Sequence, residues 1–136
     1  MPSQEIALQG IDVSYAQGQV DWEKVKGAGI RFAILRAGFG REASQKDRRF
    51  EENYAACKAA GIPIGVYHYS YAVSPEDARS EAKACLAWLS GKTLEYPVFC
   101  DLEDNSMAHL GRETLTQIAL AFCEEIQKAG FRPGIY

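Results

Sequence analysis

The sequence predicts an α/β fold: a parallel sheet with helices outside it, of TIM-like barrel type. Three observations carry that prediction. Short apolar runs alternate strictly with segments of helical periodicity along the 136 residues. The runs are apolar on nearly every residue, as strands are when both faces of a sheet are covered. Polar residues also gather where strands end, at Asp12, Arg36, His68, Asp101 and Glu103, and that end carries the site in such barrels. No GxGxxG or phosphate-binding loop follows any strand, which weakens a nucleotide-binding reading.

The elements follow in order. Gly10-Ile11-Asp12-Val13-Ser14 is a short first strand. Asp21 then caps a short helix carrying Trp22 and Val25, stopped at Gly27-Ala28-Gly29. Phe32-Ala33-Ile34-Leu35-Arg36 forms the second strand. A helix over roughly 47–60 sets Phe50, Tyr54 and Cys57 on one stripe, with Gly61 as its stop. Ile64-Gly65-Val66-Tyr67-His68-Tyr69 is the third strand. Ser74-Pro75-Glu76-Asp77 joins an N-cap, a proline at the first helical position and an acid three residues on. The helix it opens aligns Ala78, Ala82, Cys85, Leu86 and Leu89. Tyr96-Pro97-Val98-Phe99-Cys100-Asp101-Leu102-Glu103 is the fourth strand. Its helix buries Leu115, Ile118, Ala119, Phe122 and Ile126, and Pro133-Gly134-Ile135-Tyr136 opens a fifth strand.

Composition excludes several classes. The net charge is −3 with 24% charged residues, which leaves no basic footprint for a nucleic-acid partner. Lys46, Arg48 and Arg49 fall together with Asp47 and Glu51, and read as a solvated helix start. No apolar run approaches the ~18 residues of a membrane span, and no signal-peptide core is visible. The chain therefore reads as cytosolic, or as a mature segment of an exported protein. Cys57, Cys85, Cys100 and Cys123 lack CxxC spacing, and the chain has two histidines. Buried free thiols are the better reading, a disulfide between two of them stays open, and neither metal nor cofactor is expected.

Chemistry concentrates at Asp101 and Glu103. On a strand, i and i+2 side chains share a face, with Cα atoms ~6.6 Å apart. Two acids there repel each other and lose hydration, which makes them candidates for acid/base work. An acidic strand end that caps the next helix or faces water is the better reading of the tripeptide alone, and its position after Val98-Phe99-Cys100 leaves both readings open.

Taken in order, Gly10-Ile11-Asp12-Val13-Ser14, Gln17-Gly18, Val20-Asp21-Trp22, Arg36-Ala37-Gly38, Phe50 with Asn53, Ala60-Gly61-Ile62, Gly65-Val66-Tyr67-His68-Tyr69 and Asp101-Leu102-Glu103 resemble glycoside hydrolase family 25, the N-acetylmuramidase lysozymes of bacteria and phages. The resemblance spans nearly the whole chain. It implies a (β/α)5(β)3 barrel and hydrolysis, with retention, of the β-1,4 bond between N-acetylmuramic acid and N-acetylglucosamine in peptidoglycan. It makes Glu103 the general acid, its pKa raised by Asp101 and Asp12, and Asp101 the group that stabilises charge on the sugar. Asp101 would do so directly or through the substrate's 2-acetamido group, and both routes stay open. Asp12 would line the site beside the pair. Tyr67, Tyr69 and Arg36 become substrate-binding candidates, although Tyr69 and Tyr71 also fit plain packing at the barrel rim. His68 alternates to the opposite face and suits a bond between sheet and helices. Asp104 suits a brace for its loop, and His109 an exposed one.

The resemblance further implies action on glycan strands at the cell wall, outside the cell. Only about four and a half βα units are present, too few for eight strands. Residues 1–136 therefore read as an incomplete catalytic domain with weak or no activity of its own, whose open sheet edge would admit a second copy. The rival reading is a non-catalytic peptidoglycan-binding module, which has no reason to keep Asp12, Asp101 and Glu103 crowded.

Overall fold

A computed structural model describes residues 8–135. Five strands and four helices alternate: β1 Gly10–Val13, α1 Trp22–Gly27, β2 Phe32–Phe39, α2 Phe50–Ala60, β3 Ile64–Tyr69, α3 Pro75–Trp88, β4 Val98–Asp101, α4 Arg112–Lys128 and β5 Pro133–Ile135. The strands pair in parallel in the order β1-β2-β3-β4-β5. Each strand thus lies beside the next one in sequence, as in the first part of a barrel. Among the described residues the sheet is open, with β1 and β5 at its edges. Beside β5 runs an apolar groove of about 580 Å³ whose lining includes Leu102, Leu115, Leu120 and Ile135.

Parallel register sorts the side chains into two faces. Val13, Leu35, Val66 and Val98 align across the sheet and are buried with Ala33, Ile64 and Cys100 against the helices. The helices answer with Phe50 and Cys57 of α2, Ala78, Ala82 and Cys85 of α3, and Ile118, Phe122 and Ile126 of α4. The other face sets Arg36 level with Tyr67 and Phe99, and Phe39 level with Tyr69 and Asp101. One face therefore carries the core and the other the chemistry.

Local signals explain most boundaries. Asp21 accepts a hydrogen bond from Lys24 N at 3.2 Å and Ser74 one from Asp77 N at 3.2 Å, capping α1 and α3. Gly61 closes α2 with φ 72°, a left-handed turn that costs glycine nothing. Besides β4, which is confined to Val98–Asp101, two boundaries beside β2 differ from expectation. β2 continues past Arg36 to Phe39 through a register shift between Arg36 and Gly38. At Gly38 the indole of Trp88 lies where a Cβ would stand, so only glycine admits it. α2 starts at Phe50 instead of Asp47, because Asp47 N donates to Ala37 O at 2.8 Å and Lys46 bridges Gly38. That segment pairs with β2 and cannot wind into the helix.

The four cysteines are free thiols, three of them buried and Cys123 partly so. Burial pushes the thiols of Cys57 and Cys85 up to about 12, which removes the thiolate that reactivity needs.

Candidate active site

At the C-terminal ends of the strands a cleft of about 340 Å³ is lined by Asp12, Arg36, Tyr67, Tyr69, Asp101 and Glu103. These six residues, each singled out in the sequence, come from β1, β2, β3, β4 and the segment just after β4. Their convergence depends on the parallel sheet. Every strand delivers its C-terminal residues to the same end, and the alternation of side chains turns the five strand residues to one face, where Glu103 joins them from the segment after β4.

Asp101 is the last residue of β4 and is 2% exposed. Glu103 stands two residues later, beyond the strand and in solvent. The pair is therefore not a strand i, i+2 pair, yet the two carboxyls still meet through a hydrogen bond. Burial, followed by the charge of Glu103 and that shared bond, pushes Asp101 up to about 7, with Asp12 adding to the same side. Asp101 Oδ1 is buried without a hydrogen-bond partner among the described residues. Burial and the neighbouring carboxylate together favour the protonated form of Asp101.

The walls of the cleft are braced from behind. Arg36 Nε donates to Asp47 Oδ2 at 2.8 Å, and the Asp47 side chain is fully buried. The same carboxylate accepts Tyr15 N at 3.0 Å and Arg49 N at 2.9 Å. Asp47 is thus no part of a solvated helix start. It is the buried anchor of Arg36, and the sequence reading missed it. Tyr67 bonds to Ser14, and burial and the charge of Asp12 raise its phenol against the opposing pull of Arg36. Tyr69 Oη donates to Asp104 Oδ1 at 3.0 Å. Burial first, and then Asp104, push the Tyr69 phenol up to about 12. Asp104 also caps the turn at Asn105–Met107 by accepting Ser106 N at 3.0 Å, which is the loop-bracing role expected of it.

His68 lies on the helix side, fully buried. Its Nε2 is 2.7 Å from Gly40 O, so that nitrogen carries the proton, and its ring stacks on Trp88 at 5.6 Å. Burial pulls it down to about 4 and keeps it neutral. His109 is exposed in the loop after β4. A second buried pair went unread in the sequence. Ser70 Oγ donates to Glu81 Oε1 at 2.6 Å and Tyr71 N to Glu81 Oε2 at 2.9 Å. Glu81 of α3 thereby ties down the segment that follows Tyr69.

Comparison with known proteins completes the description. The family model for glycosyl hydrolases family 25 matches residues 11–136. Lysozyme M1 of Streptomyces globisporus is 44% identical over 69 residues, covering 51% of this chain and 23% of that protein. The autolytic lysozyme of Clostridium acetobutylicum is 33% identical over 96 residues, covering 71% of this chain and 28% of that protein. In three dimensions the chain superposes on the modular autolysin LytC from Streptococcus pneumoniae with a TM-score of 0.85 at 25% identity, over 99% of this chain and 33% of that one. LytC has also been solved in complex with a synthetic peptidoglycan ligand. The chain thus spans a third or less of the length of these three relatives. A family match over nearly the whole chain, on a sheet that superposes this closely, is sufficient for assignment: the chain belongs to glycosyl hydrolases family 25.

Proposed function

We propose that this chain carries the acid-bearing part of a lysozyme, hydrolysing the β-1,4 bond between N-acetylmuramic acid and N-acetylglucosamine in peptidoglycan with retention of configuration. The carrying observation is the single cleft in which Asp12, Arg36, Tyr67, Tyr69, Asp101 and Glu103 meet. The names of its relatives, a lysozyme and an autolytic lysozyme, support the same substrate and an action at the cell wall.

In this mechanism the exposed Glu103 reaches the glycosidic oxygen and protonates it. The proton comes from the Asp101–Glu103 pair, so its delivery leaves both carboxyls ionised as positive charge develops on the sugar. Buried Asp101 then faces that charge, or the 2-acetamido group that shares it, from a site of low polarity where the interaction is strong. Asp12 adds a third carboxylate to the same wall. Tyr67 and Tyr69 offer ring faces and phenolic rims to the pyranose rings, and Arg36 supplies the cation in the cleft.

A module kept only for binding would gain nothing from a buried carboxyl beside a second acid, since the crowding costs stability. The test is digestion of purified peptidoglycan by the wild type and by Glu103→Gln, with mass spectrometry of the released fragments. Fragments with reducing N-acetylmuramic acid ends are expected from the wild type alone. Equal release by both proteins overturns the assignment of the acid, and no release by the wild type overturns hydrolysis by this chain.

A further inference from the structure

Arg36 is held in an unusual way. Its Nε is taken up by buried Asp47 at 2.8 Å. Its guanidinium also lies over two rings, Tyr15 with its centroid at 4.9 Å and Phe39 at 5.2 Å. Asp47 thus occupies the Nε side, and Arg36 lines the cleft. Arg48 also covers the Tyr15 ring, at 4.7 Å. Tyr15 is 40% exposed and Arg48 is exposed. Phe39, Arg36, Tyr15 and Arg48 thus form a ladder of alternating rings and cations leading from the cleft to the surface.

Cation–π stacking of this kind holds a guanidinium flat and leaves its in-plane donors for a planar anion. The matching group is a carboxylate, which an arginine meets with paired N–H donors. The ladder stands on β2 and the segments after β1 and β2, while Asp101 ends β4. Two strand spacings separate them, ~10 Å, about the distance over which salt screens exposed charges. One glycan can meet both, its scissile oxygen at the acids and an acidic substituent at the ladder.

We infer that the Phe39–Arg36–Tyr15–Arg48 ladder is a binding site for carboxylates borne by the muramyl residues of the glycan, so that the cleft selects acid-substituted strands over neutral ones. This rests on the peptidoglycan reading above and names which feature of that substrate is recognised. The carboxylate has two sources, the lactyl group of a muramyl residue stripped of its peptide, or the peptide stem where one is attached. Both present the same planar anion.

The test is a titration of the protein with four soluble glycans: peptide-stripped strands, stem-bearing strands, and each of these after amidation of its carboxylates with a carbodiimide and ammonia. Wild type is expected to bind at least one charged glycan about fivefold or more tighter than its amidated partner. Preference within the stripped pair assigns the lactyl carboxylate, and preference within the stem pair alone assigns the peptide. Arg48→Gln, at an exposed position, should cut that preference about two- to threefold, the scale of an exposed ion pair. Arg36→Gln should bring it close to one, with thermal melting confirming the fold. Equal affinity for charged and amidated glycans, or an unchanged preference in both variants, overturns the inference. Because the readout is binding, the outcomes separate. Discrimination without cleavage sinks the hydrolase and keeps the site, whereas cleavage without discrimination sinks the site alone.

Discussion

Replacing Asp101 by Asn should stabilise the protein, and increasingly so as pH rises from 4 to 7. Asp101 is pushed from 3.8 up to about 7, by burial first and by Glu103 second. A carboxyl raised on folding binds a proton more tightly in the native state than in the unfolded chain. Its contribution is therefore fully present below about pH 4 and is lost as pH climbs through 7. A shift of about three units at 1.36 kcal/mol each sets an upper bound of about 4 kcal/mol. Part of the shift is the charge of Glu103, which is exposed and screened, so the expected effect is on the order of 2–4 kcal/mol. Asn keeps the shape and can still donate to Glu103, but has no charge to desolvate. Urea unfolding of both proteins at pH 4, 5, 6, 7 and 8 measures the difference directly, with groups common to both cancelling. The stability gap should open between pH 4 and 7 and level off above. A gap that stays constant across the range would refute the claim that buried Asp101 holds the proton.

Three further outcomes follow from buried polar groups. Asp47→Asn should cost about 3–5 kcal/mol in urea unfolding, because it leaves the charge of Arg36 without its buried partner; a loss under 1 kcal/mol would mean that Arg36 is solvated. Ser70→Ala should cost about 1–3 kcal/mol by stripping a bond from buried Glu81. Its thermal midpoint should fall more at pH 8 than at pH 4, because burial raises Glu81 and its ionised form most needs the lost donor. A disulfide-exchange reagent at pH 8 should titrate Cys123 slowly in the native protein, and Cys57, Cys85 and Cys100 only on unfolding. Rapid reaction of all four would show a core that opens readily.

The architecture was legible because its signals are local. Asp21, Ser74 and Gly61 mark helix ends with their own side chains or backbone. Asp12, Arg36, Asp101 and Glu103 could be picked out because a parallel strand announces its C-terminal end, where apolar residues give way to polar ones, whereas Tyr67 and Tyr69 came from the family resemblance. What escaped depends on partners far along the chain. Lys46-Asp47-Arg48-Arg49 looks solvated because its neighbours are charged, and nothing local says that Arg36, eleven positions upstream, draws Asp47 inside. Glu81 did leave a signal. It sits three residues after Ala78 and four before Cys85, on the stripe that packs the core, and a carboxylate there demands donors, which Ser70 and Tyr71 provide.

The acids themselves mark where sequence reasoning stops and why. Spacing shows that Asp101 and Glu103 crowd each other, and crowding alone does not distinguish them. What separates them is burial: β4 ends at Asp101 and seals it at 2% exposure, while the chain leaves the strand before Glu103 and lifts it into solvent. A difference in dielectric between two residues two positions apart comes from the layers packed around the strand end, and no pattern in the tripeptide encodes it. That asymmetry gives the pair its direction. In the mechanism proposed above, the buried acid attracts the proton at rest and the exposed acid reaches the substrate, so ionisation of both in the transition state is a change that the site, and not water, is arranged to favour.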